Sequence, residues 1–329
     1  MRVVSCNSFG PLTDLVIEDR PSWPLGPDDV RIAVTAAGVN FVDALFVQGL
    51  YQIKPPLPFV PGNEIAGVVV EVGDAVESPA VGDRVFANVG LGGYASEIAV
   101  PAKRTTPTPL SMTDGQAATF TQSYSTAWFA LVKRARATAG QSLLVLGAGS
   151  GVGLAAVDVG RALGLTVIAA ASSAAKRAAA TERGAVAVID SSTEDVKTRA
   201  KELGLELTGD GAGVDLVYDP IGGQQGEQAL RALREDGQFL VIGFASGTIP
   251  QLPANQVLLR NRRVTGVDWG AWVGRNQREN QEMLAEIVAA VDDGRLSPVE
   301  PIAYPLDGAA QALQDQLDRK IVGKTVLVP

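Results

Sequence analysis

The chain has no histidine, a single cysteine and few aromatic residues (5%). The first absence removes the commonest general base and the commonest metal ligand, so a Ser-His-Asp hydrolase and a histidine zinc site are both excluded. One cysteine, Cys6, rules out an intrachain disulfide and a cysteine-rich metal site. It reads as a small buried hydrophobe of the first strand, in a reducing compartment. No carboxylate cluster with metal-ligand spacing occurs. There is no run of Lys and Arg, and the net charge is −8. Nucleic acid and anionic membrane surfaces are therefore not expected partners. The N-terminal MRVVSCNSFG lacks a signal-peptide core, and the longest uncharged stretch is broken by glycines. A cytoplasmic protein is expected.

What the chain has in quantity is Ala, Val and Gly. Apolar residues make up 46% of it, and 329 residues allow two domains. The organising stretch is Ser142–Ala156, SLLVLGAGSGVGLAA: an apolar β-type run, a turn through Gly147, Gly149, Gly151 and Gly153, then a small-residue helix. Strand, glycine turn and helix N-terminus are the parts of a dinucleotide crevice, because bare backbone N–H groups and the helix dipole both favour a pyrophosphate. A strict G-x-G-x-x-G is absent: its three positions hold Ala148, Ser150 and Gly153. Taken alone, the stretch also suits a tight turn in any α/β protein. Its surroundings add more. Strands are predicted at Leu165–Ala171, Val186–Ile189, Val214–Asp219 and Gln238–Gly243, alternating with helical patterns such as Ala174–Arg183. That rhythm predicts a doubly wound parallel sheet.

Before this region the pattern differs. Short strands at Val3–Ser5, Leu15–Glu18, Val30–Ala37, Ile65–Val72 and Gly92–Val100 are separated by Gly/Pro turns, predicting a mainly β domain. Helices are predicted at Asp114–Phe120 and Tyr124–Val132, and later at Gln277–Asp292 and Leu306–Leu317, with a last strand at Gly323–Val328. The final elements have no place in a simple dinucleotide sheet, so the chain is expected to return to its first domain.

Several stretches together match one family: AAGVNFVDALFVQGLY (36–51), PFVPGNEIAGVVVEVG (58–73), VGDRVF (81–86), GGYASE (92–97), SYSTAW (123–128), the glycine turn, GVDWG (266–270) and GKTVLV (323–328). On these the chain resembles the zinc-free medium-chain dehydrogenase/reductases, and most of all their NADPH:quinone oxidoreductase (ζ-crystallin-like) group, over essentially its whole length. The resemblance implies an α/β fold: a doubly wound parallel (Rossmann) sheet inserted into a discontinuous, mainly β GroES-like domain. The implied domains are 1–123 (GroES-like substrate and catalytic domain), 124–267 (Rossmann dinucleotide-binding domain) and 268–329 (return to the first). Zinc-dependent relatives carry a ligand histidine where this chain has Asn63, and a ligand cysteine where it has Gln122. No metal is expected, and without a Lewis acid simple ketone chemistry gives way to electron-poor acceptors.

By resemblance, Asn40 and Tyr51 are the catalytic candidates: Asn40 would hydrogen-bond an acceptor carbonyl and also line the nicotinamide, and Tyr51 would stack on a flat ring or donate its O–H. A helix N-cap and a loop anchor are the plainer readings of these two. Tyr94 reads as packing. Thr126 would contact the nicotinamide amide, and Ser150, Gly151, Val152 and Gly153 the pyrophosphate. Gly243, Phe244, Ala245, Val267 and Trp269 would wall the nicotinamide, with core packing as the alternative for Trp269. Arg319 and Lys324 would close over the cofactor, unless Lys324 is a solvated surface residue. The second dinucleotide strand ends in Ser172 and Ser173, followed by Lys176 and Arg177, with no acid for a ribose 2′-OH. Hydroxyls and a cation suit a 2′-phosphate, so the expected cofactor is NADPH. A tyrosine that relatives often place near Ser191 is missing.

The expected activity is zinc-independent transfer of hydride, or of single electrons, from NADPH to a quinone or similar electron-poor carbonyl compound. An alkenal or enoyl (activated C=C) reductase is the alternative, and a non-catalytic NADPH-binding protein the second. A homodimer through strand Arg263–Val267, at the expected edge of the sheet, completes the reading.

Overall fold

Strand Ser142–Leu146 is buried along its whole length, which is why it reads as one unbroken apolar run. It lies inside a six-stranded parallel sheet in the computed structural model, which describes residues 1–209 and 213–329. In chain order the strands are Ser142–Leu146, Thr166–Ala171, Ala187–Asp190, Val214–Asp219, Leu233–Val241 and Arg263–Gly266. In space they run third, second, first, fourth, fifth, sixth, every pair parallel. Helices Gly151–Ala162, Ala174–Glu182, Val196–Thr208 and Gly223–Ala232 connect them. The strand order reverses between the first and fourth strands, the position where doubly wound sheets take their ligands. The glycine turn leaves the first strand there.

This sheet belongs to a unit spanning Ser123–Ser297. The expectation that the chain leaves it at residue 268 is corrected to Pro298. The reason is helix Gln277–Asp292, which buries Met283, Ile287, Ala290 and Val291, a stripe spaced for one helix face. Polar ties hold the segment as well. The Trp269 indole donates to Asn280 (2.9 Å), and the Ser297 N–H donates to the buried Asp158 carboxylate (2.7 Å), which also accepts from the Tyr124 hydroxyl (2.9 Å). Where a regular helix was predicted over Tyr124–Val132, the chain makes wide turns through Phe129–Arg134, with the Ala135 N–H reaching back five residues to Ala130 (2.8 Å).

The other unit comprises Met1–Gln122 and Pro298–Pro329. Its centre is the long strand Asp29–Val39, alternately buried over its first half as its apolar alternation predicted. Glu64–Val72, Glu97–Pro101 and Thr325–Val328 all pair antiparallel to it. Arg84–Asn88 and Thr105–Pro107 extend the sheet on one side, and Ile302–Pro305, unrecognised in the sequence, pairs parallel to the last strand on the other. Val3, Ile32, Ile65, Tyr94 and Leu327 lie in one buried cluster. Among the described residues no helix is long and apolar enough to cross a membrane.

Candidate active site

Sheet register gathers a polar group inside the first unit. Thr325 pairs with Val39 and Glu64 with Gly38. Lys324 and Asn40, one residue beyond the first pair, therefore meet at the same end of the sheet as Glu64. Asn40 precedes the short helix Phe41–Val47 and is 7% exposed. Its Nδ2 donates to Glu64 Oε1 (2.8 Å) and to Asn63 Oδ1 (3.0 Å). Its Oδ1 accepts from Lys324 Nζ (2.6 Å). The orientation of this amide is dictated by charge: reversed, its NH₂ would face an ammonium and its oxygen a carboxylate. Glu64 is 1% exposed and also accepts from the Gln122 backbone N–H (2.8 Å). Asn63 and Gln122 touch through their side-chain amides (3.4 Å).

Beneath this group lies a second buried pair. Asp43 Oδ2 accepts from the Asn40 N–H (2.8 Å) and from the Tyr94 hydroxyl (2.9 Å), while Oδ1 has no hydrogen-bond partner among the described residues. Burial pushes the Asp43 carboxyl up to about 7, against the pull of those two hydrogen bonds. Burial and the adjacent Asp43 likewise raise the Tyr94 hydroxyl well above its ordinary range. Tyr94 was read as packing; it is fully buried and also holds a carboxyl that fixes Asn40.

The expectations for this unit fare unevenly. Asn40 does precede a helix, yet its side chain points into the polar group. Both of its N–H bonds already have acceptors, so donation to an acceptor carbonyl would require giving one up. Lys324 is no surface lysine, being 7% exposed. Tyr51 lies outside the group, on the surface, tilted against Phe46 with ring centres 4.7 Å apart. Arg319 is exposed, at a positive φ of 59°, beyond helix Ala309–Leu317.

In the second unit the glycine turn is built as a cradle. Ser150 caps helix Gly151–Ala162, its hydroxyl accepting from the Gly153 N–H (3.2 Å). Gly151 and Val152 then occupy the first turn, where N–H groups have no acceptor inside the helix. A Cβ on Gly153 would stand 2.3 Å from the Gly147 oxygen and 2.8 Å from Ala148 Cα. This is the one glycine of the fingerprint that the chain retains, and backbone contact demands it. Gly149 has a different neighbour: a Cβ there would meet Lys176 Cβ at 2.3 Å, so the lysine stem lies across the turn.

Ser172 and Ser173 are exposed at the end of strand Thr166–Ala171, and the Ser173 hydroxyl caps helix Ala174–Glu182 by accepting from the Lys176 N–H (3.3 Å). Arg177, expected beside them as a second cation, is tied instead to Asp190 on the neighbouring strand (2.9 Å) and to the Ala171 oxygen (3.1 Å). Gly243, Phe244 and Ala245 follow the fifth strand, with the Ala245 N–H on the Pro220 oxygen (3.0 Å) and the Phe244 ring 39% exposed. Val267 is buried after the sixth strand and bonds Val241 O (3.0 Å). Trp269 is 7% exposed, and its indole is held by Asn280. Thr126 is buried, 8% exposed.

Sequence reasoning gave no role to Asp43 or Glu64 and placed Lys324 on the cofactor. The spacing Asn40-x-x-Asp43 did hint at a carboxylate reaching back to the residue that opens a helix. Nothing in the sequence ties Lys324 to Asn40, 284 positions away.

The chain resembles known proteins over its whole length. The "Alcohol dehydrogenase GroES-like domain" family matches residues 26–110, and the "Zinc-binding dehydrogenase" family residues 151–289. Among the described residues, however, no three His, Cys, Asp or Glu side chains are grouped to hold a metal. A Quinone oxidoreductase-like protein 2 homolog of Nematostella vectensis is 38% identical over 99% of this chain and 88% of its own. A probable oxidoreductase from Mycobacterium abscessus superposes with a TM-score of 0.88 at 36% identity, over 100% of this chain and 99% of that one. The Escherichia coli quinone oxidoreductase complexed with NADPH gives 0.88 at 27% identity, over 100% of both chains.

Proposed function

Because the chain belongs to the zinc-free medium-chain dehydrogenase/reductases, in their quinone oxidoreductase group, we propose that it is an NADPH-dependent reductase that passes hydride to a quinone or similar electron-poor carbonyl compound. The observation that carries the cofactor choice is the end of strand Thr166–Ala171. Ser172, Ser173 and Lys176 stand there, and Asp190, on the neighbouring strand, is ion-paired with Arg177. A 2′-phosphate would meet two hydroxyls and an ammonium rather than a bare negative charge. The turn suits the rest of a dinucleotide: with no Cβ at Gly153 the helix starts directly against the Gly147 and Ala148 backbone, leaving the first-turn N–H groups of Gly151 and Val152 for a pyrophosphate.

When bound, NADPH supplies the hydride. The chain's own work is placement. The first-turn N–H groups of Gly151 and Val152 and the helix dipole hold the pyrophosphate. Thr126, Gly243, Phe244, Ala245, Val267 and Trp269 would shape the nicotinamide pocket. Asn40 and Tyr51 serve the acceptor. Amides at the positions where zinc relatives have ligands, Asn63 and Gln122, leave polarisation to N–H donors, which suits acceptors that are already electron-poor.

Reduction of activated C=C bonds is a second reading, favoured by the loop around Tyr51. Leu50 and Ile53 are each 70% exposed and Leu57 40%, an apolar approach suited to an acyl chain. The test is NADPH oxidation, followed by absorbance, against ortho- and para-quinones, short and long enones and an enoyl thioester, repeated with NADH. Turnover on quinones with NADPH preferred supports the first reading, and turnover mainly on enones or the thioester supports the second. Equal efficiency with NADH removes the cofactor assignment. Binding without turnover on the panel points to a non-catalytic role.

A further inference from the structure

Lys324 is a buried cation with more donors than partners. Its side chain is 8% exposed, and that of its counter-ion, Glu64, 1%. An ammonium carries three N–H bonds. One meets Asn40 Oδ1 at 2.6 Å and a second meets Glu64 Oε1 at the longer distance of 3.4 Å. The third has no partner among the described residues.

A lysine present only to neutralise Glu64 would make its short contact with the carboxylate. Here the short contact is to a neutral amide oxygen, and Glu64 spends its oxygens on Asn40 Nδ2 and the Gln122 N–H as well. The positive charge is therefore held firmly but only partly quenched. Its two partners, Asn40 and Glu64, in turn bind the Asn63 side chain and the Gln122 N–H, the positions where zinc relatives have metal ligands. Asn40, the donor suggested by resemblance, has both N–H bonds engaged. Asn63 and Gln122 also have amide N–H groups, but neither carries charge. Asp43, the other ionisable group packed below, faces Asn40 and Tyr94.

We propose that Lys324 is a catalytic residue: its third N–H donates to the acceptor's oxygen and opposes the negative charge that collects there as hydride arrives. The proposal rests on the reductase reading above. In the step, hydride and its electron pair bond to the acceptor, and the displaced π pair moves onto the acceptor's oxygen. NADPH is oxidised by two electrons and the acceptor reduced by two. A proton from water completes the product, and Lys324 keeps its own. A fixed cation aimed at an oxygen that becomes anionic acts more strongly on the transition state than on the ground state.

The experiment measures kcat and KM on the acceptor panel, and NADPH Kd by fluorescence titration, for wild type, Lys324→Arg, Lys324→Met and the double variant Lys324→Met/Glu64→Gln. The double variant removes both charges together, so that no carboxylate is left buried alone. Thermal melting reports folding. Expected are a kcat about 100-fold lower in Lys324→Met and in the double variant, the scale seen for a lost oxyanion donor, partial recovery in Lys324→Arg, and an NADPH Kd within about 3-fold of wild type. A double variant with wild-type kcat overturns the proposal. So does an NADPH Kd weakened about 10-fold or more with kcat kept, which would make Lys324 a cofactor ligand. Wild type that binds NADPH but turns over nothing on the panel defeats the reductase reading itself and the Lys324 role with it.

Discussion

At the scale of single residues, the consequences of burial are the most testable. Asp43 keeps its proton in the folded chain to about 7, mainly because burial opposes the charge. In the unfolded chain an aspartate titrates near 3.9. Between these values the folded state binds the extra proton, so stability falls as pH rises from about 4 to about 7 and levels off above. Asp43→Asn removes that titration while keeping an oxygen for the Asn40 N–H and Tyr94 O–H. Urea unfolding across that window should show wild type losing up to about 1.4 kcal/mol per pH unit relative to the variant; parallel curves would refute it. Lys176 gives the second prediction. Lys176→Ala should raise the NADPH KM by about 10-fold, as expected for one exposed charge-assisted contact. It should leave the NADH KM unchanged, and equal effects on both cofactors would place the lysine elsewhere. The reading of Lys176 came from chemistry in the sequence alone. The pairing of Arg177 with Asp190 did not, because it depends on which strand lies next to which.

At the scale of elements, the glycine turn was legible because its constraint is local: strand, turn and helix follow one another without interruption. Gly153 carries the sharpest test. Its Cβ would run into backbone at Gly147 and Ala148, atoms that cannot rotate away. Gly153→Ala should lower stability by about 2 kcal/mol and weaken NADPH binding by at least about 10-fold, measured by thermal melting and fluorescence titration. Normal binding would show that the turn has room. Buried strands were equally legible, Val214–Asp219 being found with the same ends the structure gives it. Elements decided by distant packing were less so. Helix Gln277–Asp292 was found with its correct ends but assigned to the wrong unit. Its stripe of Met283, Ile287, Ala290 and Val291 says that one face is covered, and nothing in that spacing says by what.

At the scale of the molecule, strand Arg263–Gly266 ends the parallel sheet with an open edge. It has little cover: Val264 is 41% exposed, and Leu258 and Leu259 just before it are 76% and 72% exposed. An open strand edge flanked by exposed apolar side chains is a liability that a two-fold copy would remove. Light scattering is expected to give twice the 34.2 kDa of one chain. Val264→Glu is expected to shift it towards the monomer while NADPH binding survives. A monomeric wild type at micromolar concentration would end this idea.

What the sequence determined by itself was whatever depends on neighbours along the chain or on residue types: the α/β rhythm, the cradle at Ser150–Gly153, and the exclusion of histidine chemistry that follows from having none. The motif order from Ala36 to Val328 was enough to place the chain in its family. What only the tertiary structure decided was the company each polar group keeps. Lys324 reaches Asn40 and Glu64 because the last strand pairs with Asp29–Val39 in one register, and a shift of a single residue would turn its side chain to the other face. That register is set by contacts between segments nearly three hundred residues apart. Local sequence cannot encode it, and it is what turns a lysine near the C-terminus into the buried charge beside Asn40.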